Sequence, residues 1–135
     1  MTDINGGCLC GTVTFAGDVD IAFAANCHCK DCQKATGAAY ASIVFVSEDD
    51  LDIQGETSRF EHRSDRGSVL QKVFCPKCGS PLFTKNSARE GLIGVRLGVL
   101  NQAPEIVLSR NIYCSSALPS TPMDEGLAKH DKMPG

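Results

Sequence analysis

Seven of the eight cysteines in this 135-residue chain stand in three tight groups: Cys8-Leu9-Cys10, Cys27-His28-Cys29-Lys30-Asp31-Cys32 and Cys75-Pro76-Lys77-Cys78. CxC and CxxC spacings let a backbone knuckle aim its sulfurs at one ion, as in thiolate metal sites. A fold that satisfies such knuckles must bring distant ones together, which restricts it more than any local propensity. Zinc is the expected metal, because it suits thiolates and asks for no redox chemistry. A disulfide framework is not expected, since the opening Met1-Thr2-Asp3-Ile4-Asn5-Gly6-Gly7 lacks the positive start and apolar core of a secretory signal. No apolar stretch approaches the ~20 residues that span a bilayer, so the chain is expected to be cytoplasmic, without a membrane partner.

The partition of the cysteines decides the chemistry. Joining the two pairs makes one site of Cys8, Cys10, Cys75 and Cys78, and leaves Cys27, Cys29 and Cys32 as a group of three. Four protein ligands close a structural zinc, whereas three leave a position for water or substrate. A second partition completes the triplet with Cys114 or His28 and closes both sites. His28, between two ligands, tends to point away from the centre its neighbours face. Cys114 follows Ile112 and Tyr113 and reads equally as a small buried hydrophobe. His62, in Glu61-His62-Arg63, and His130 read as solvated, and Glu48-Asp49-Asp50 as an exposed turn.

Short strands with glycine-rich joints organise the remainder, and the fold class is all-β. Alternation over residues 12–15 predicts a half-buried strand ended by Gly17-Asp18, and residues 21–26 a second one leading into the central cysteines. Gln33, Lys34, Ala35 and Thr36 predict a helical turn stopped by Gly37. The apolar run 40–46 predicts a buried strand. Further short strands are expected around Ile53, Phe60, Val69 to Val73, Pro81 to Thr84, Leu92 to Leu100 and Glu105 to Tyr113. In Phe74-Cys75-Pro76-Lys77-Cys78-Gly79-Ser80 the proline stiffens the loop and the glycine allows the turn after the second ligand, the mark of a zinc knuckle. One domain over residues 1–114, followed by a loosely packed tail over 115–135 rich in proline and serine, is the expected organisation. The 13 basic and 16 acidic residues are interspersed, net charge −3, with no basic run, so nucleic acid is not an expected partner.

The glycine-flanked Cys8-Leu9-Cys10-Gly11, the Cys27-His28-Cys29-Lys30-Asp31-Cys32 centre followed by Gly37, and Phe74-Cys75-Pro76-Lys77-Cys78-Gly79 occur in this order. Together they resemble the glutathione-dependent formaldehyde-activating enzyme family, which also includes the centromere protein V type, over roughly residues 5–113. The resemblance implies a β-tent of several short antiparallel sheets with little helix. It also implies a structural zinc on Cys8, Cys10, Cys75 and Cys78 and a catalytic zinc on Cys27, Cys29 and Cys32. The implied activity is that of a carbon–sulfur lyase joining glutathione to formaldehyde as S-hydroxymethylglutathione. Members commonly carry a tryptophan just after the last core strand, where this chain reads Ile112-Tyr113-Cys114-Ser115-Ser116.

Three thiolates around a dication leave a net charge of about −1, a poor centre for making hydroxide and a better one for receiving a thiol. Binding there draws the thiol below its free pKa of about 8.5, so a small-molecule thiol such as glutathione is the expected partner. Lys30 or Lys34 is the candidate to balance the charge or hold a substrate carboxylate. Two other classes fit the same motifs: a non-catalytic zinc-binding module, and a redox or metal-sensing protein whose triplet oxidises or exchanges its metal.

Overall fold

A computed structural model describes residues 1–133. The strands follow in chain order as β1 (Thr2–Gly7), β2 (Thr14–Val19) and β3 (Ile21–Cys27), then the one α-helix among the described residues, α1 (Lys30–Thr36). After it come β4 (Ala41–Ser47), β5 (Asp52–Gln54), β6 (Ser58–Arg63), β7 (Val69–Phe74), β8 (Pro81–Asn86), β9 (Leu92–Arg96), β10 (Arg110–Ile112) and β11 (Ala128–Lys129). The protein is mostly β, as expected. No helix among the described residues is long and apolar enough to cross a membrane.

The strands form two sheets: three strands in the order β1-β2-β5, and eight in the order β11-β10-β3-β4-β9-β8-β7-β6. Pairing is antiparallel except where β10 runs parallel to β3 and β11. The large sheet is covered on both faces over its centre, which is why residues 40–46 read as a nearly continuous apolar run. On one face Val44, Val46, Ile93 and Val95 pack with Ile4, Phe15 and Val19 of the small sheet. Phe15 meets Phe83 edge to face across this layer, with centroids 5.3 Å apart. Each such fully buried side chain contributes about 1.5–3 kcal/mol. On the opposite face Ala25, Cys27, Ala41, Ile43 and Ile112 gather with Cys32 of α1.

Several elements differ from expectation for identifiable reasons. β1 forms from a segment with little apolar alternation, because all six of its residues find partners along β2, Thr2 opposite Val19 through Gly7 opposite Thr14. β2 runs on through Gly17 instead of stopping there, since that residue's missing Cβ lets the backbone of Asp50 approach: a Cβ would lie 2.2 Å from its carbonyl oxygen. β9 ends at Arg96, where residues 97–99 turn into a 3-10 segment. Of residues 105–113, only Arg110–Ile112 is strand. α1 begins earlier than expected, at Lys30, because the Cys29 sulfur accepts from the Cys32 amide and caps it. Gly37 ends it in the left-handed conformation, φ 70°.

Beyond residue 114 the chain returns to this edge of the large sheet. β11 pairs with β10, and the Cys114 amide donates to the His130 carbonyl at 3.0 Å. Met133 packs against the cluster that holds Ala25, Cys27, Ile43 and Ile112.

Candidate metal centre

Two knuckles meet at the first cysteine cluster. One leaves β1, where the Gly11 amide closes a turn on the Cys8 carbonyl at 3.1 Å. The other joins β7 to β8, where the Gly79 amide donates to the Cys75 carbonyl at 2.8 Å and Gly79 takes φ 76°. The sulfurs of Cys8, Cys10, Cys75 and Cys78 all lie within 4.8 Å of one another. Cys8 and Cys10 stand 3.6 Å apart, and Cys10 and Cys75 3.8 Å. A tetrahedral zinc with Zn–S bonds of about 2.3 Å needs sulfurs about 3.8 Å apart, so the donor set fits that ion.

Donors around this cluster favour thiolates. The Val13 amide points at Cys8 (3.3 Å) and the Lys77 amide at Cys75 (3.4 Å), while Thr12 and Ser80 hydroxyls lie 3.1 and 3.2 Å from Cys10 and Cys78. The Ser80 hydroxyl and amide bring the Cys78 thiol down to about 5. The Val13 amide likewise lowers Cys8.

The second cluster is local. Cys27 closes β3, Cys29 caps α1 and Cys32 lies in the first turn of that helix, so a six-residue stretch brings three sulfurs within 4.8 Å. Neither His28 nor Cys114 belongs to the group. The His28 ring is buried, with Nε2 3.0 Å from Asn111 Oδ1 and its centroid 5.0 Å from that of Tyr40. Cys114 is half-buried in a 3-10 turn. Crowding by the Cys29 and Cys32 sulfurs, together with burial, drives Cys27 far up. Hydrogen bonds from Cys27 and Cys29, helped by the charges of Lys72 and Arg96, bring Cys32 down to about 2.

This cluster opens into a cavity of about 500 Å³ between the large sheet, α1, the β6–β7 turn and the returning C-terminal segment. Ile43, Phe45, Leu70 and Leu92 make its apolar wall. Lys30, Arg66, Lys72, Lys85, Arg89 and Lys132 face it, against Asp31 and Asp65. Two of the cations are engaged: Lys85 with Glu48 at 2.5 Å, Lys132 with Asp65 at 3.6 Å. Lys72 donates to Thr84 Oγ1 at 3.3 Å. Tyr113 donates to Asp65 at 3.1 Å from a left-handed backbone, φ 56°.

Of the two lysines singled out in the sequence, Lys30 lines the cavity and Lys34 sits exposed on the last turn of α1, away from it. His62 is half-buried, its Nδ1 3.8 Å from Asp31. Lys72 and Arg96 escaped sequence reasoning, although each left a signal. Lys72 sits between Leu70 and Phe74 on one face of β7, and Arg96 interrupts the apolar run Ile93-Gly94-Val95-Arg96-Leu97.

A β protein with one closed four-thiolate cluster and one three-thiolate cluster at a cavity has the donor groups of a two-zinc protein, the second site short of one ligand. The chain belongs to the glutathione-dependent formaldehyde-activating enzyme family, whose model matches residues 3–116. It is 31% identical over 80 residues to a Pyrenophora teres f. teres (strain 0-1) protein named provisionally as a glutathione-dependent formaldehyde-activating enzyme. That match spans 56% of this chain and 40% of the relative. In fold it is similar to a Rhodobacter sphaeroides protein of known crystal structure, with a TM-score of 0.58 and 19% identity over 93% of this chain and 98% of that one.

Proposed function

We propose that the centre formed by Cys27, Cys29 and Cys32 joins a small acidic thiol to a small aldehyde, with glutathione and formaldehyde as the pair the family name suggests. The protein then acts as a zinc-dependent carbon–sulfur lyase, with the cluster of Cys8, Cys10, Cys75 and Cys78 as its structural zinc site. The observation that carries this reading is the three-sulfur cluster at the end of a cavity whose charged lining is mainly cationic. A zinc held by these three thiolates would accept a thiol as a further ligand and favour its ionised form.

The chain's own residues do the rest. Lys30 and Lys72 stand on the cavity wall where a substrate carboxylate is drawn in, and Thr84 holds the Lys72 ammonium at 3.3 Å. Ile43, Phe45 and Leu70 exclude water from the thiol's carbon chain. In the forward direction the S–C bond forms, the carbonyl π pair moves to oxygen and the thiol's proton ends on that oxygen. In reverse, the hydroxyl proton returns to sulfur as the S–C bond breaks.

The test is a native mass spectrum of the zinc-loaded protein with and without reduced glutathione. Two zincs and one glutathione adduct are expected, with the adduct and one zinc lost in Cys29→Ala, followed by formaldehyde turnover in the wild type alone. Unchanged turnover in Cys29→Ala would sink the proposal.

A further inference from the structure

Arg96 is the only buried lysine, arginine, aspartate or glutamate among the described residues. It is 5% exposed, and its Nε and Nη1 atoms find no hydrogen-bond partner. Among the described residues no carboxylate pairs with it. An unpaired buried cation costs a fold several kcal/mol, so a compensating negative charge is called for nearby.

The sheet register shows where. Arg96 of β9 stands opposite Ile43 of β4, so the two side chains leave the same face of the large sheet. Ile43 packs with Cys27 and Cys32, and its other neighbour across β4–β3 is Ala25, two residues before Cys27. Arg96 is not among the residues that line the cavity. The cysteine cluster packed with Ile43 on this same face is the source of negative charge that the register places next to it. Three thiolates and a divalent ion sum to −1, a charge that the guanidinium offsets from within the fold, as the Lys72 ammonium does from the cavity wall.

We propose that Arg96 is the buried counter-charge of the three-cysteine centre, a positioning residue that offsets the net negative charge of a metal held by Cys27, Cys29 and Cys32 and so sets how tightly that site retains it. This goes beyond the reaction proposed above, because it concerns metal retention and holds whether or not the centre catalyses anything.

Competition with a chromophoric chelator, read separately for the two sites of the full chain, tests it in the wild type, Arg96→Met and Arg96→Lys. Arg96→Met should weaken zinc binding at the three-cysteine site by about 10- to 100-fold, the range seen when groups supporting metal ligands are removed. The four-cysteine site should be unchanged, and Arg96→Lys should restore most of the loss. With the four-cysteine site filled and the other stripped, Arg96→Met should unfold at no lower urea concentration than the wild type, because it removes only an uncompensated charge. Equal zinc affinity in the wild type and Arg96→Met would overturn the inference alone. So would an Arg96→Met chain that fails to fold, or an Arg96→Lys chain as weak as Arg96→Met. A wild type that binds zinc at the four-cysteine site only would overturn it together with the proposed zinc centre.

Discussion

The two cysteine clusters offer the same donor atom in opposite settings. Cys8 and Cys10 must wait for Cys75 and Cys78, contributed 65 residues later, before their cluster exists. Each of its sulfurs then has an amide or hydroxyl beside it. Cys27, Cys29 and Cys32 are brought together by one strand end and one helical turn, with an amide on Cys29 and the charges of Lys72 and Arg96 nearby. A cluster assembled from distant segments ties sheets together, and all its positions are used. A local cluster is free of that duty, so a fourth position can stay open to the cavity.

The contrast predicts unequal consequences. The largest belongs to Cys75→Ala. On the proposed assignment of a structural zinc to this cluster, which would supply about 10–16 kcal/mol of apparent binding energy to folding, loss of one of the four ligands should abolish cooperative folding, as judged by far-UV circular dichroism. Cys29→Ala should leave that spectrum intact. A folded Cys75→Ala chain would erase the distinction between the clusters.

Chelation should follow the same order. As zinc is withdrawn, the three-cysteine site should empty first with little change in dichroism, and the four-cysteine site second, together with the fold. Simultaneous loss would mean that the two sites share one structural role.

Gly6, just ahead of Cys8, probes the assembled side. A Cβ there would lie 2.0 Å from the Val99 carbonyl oxygen, at the bridge from β1 to Leu100. Gly6→Ala should therefore cost about 1–3 kcal/mol of stability in urea unfolding, the scale of an overpacked core.

Tyr113→Phe probes the open side and should have the smallest effect. It removes the hydrogen bond to Asp65, worth about 0.5–1.5 kcal/mol, and should leave metal binding at both clusters unchanged. Burial, then Asp65, pushes the Tyr113 phenol up to about 12. Because the folded state favours the neutral phenol, its contribution is complete below the ordinary tyrosine value of about 10 and fades as pH rises through 12. Alkaline melting curves of wild type and Tyr113→Phe should converge over that window.

Much of this arrangement is visible in the chain's own order of residues. The knuckles announce themselves because CxC, CxxC and their flanking glycines are local geometry, and the stop of α1 at Gly37 is local for the same reason. β1 was hidden because its six residues carry little alternation of their own and take their conformation from β2. The end of β9 at Arg96 was hidden too, since an apolar run does not reveal where the chain turns away from its neighbour.

By itself, then, the sequence determined which residues supply sulfur, how they divide into knuckles, and that short strands carry them, since each of these depends on spacings of a few residues. Only the tertiary structure decided that Cys8 and Cys10 meet Cys75 and Cys78, that His28 turns to Asn111, and that a cavity faced by Lys72 opens beside the remaining three cysteines. It also decided that Arg96 lies buried on the same sheet face as Ile43. These are facts of strand register and sheet order, and register is set by which faces two sheets bury against each other, a condition that no single segment contains.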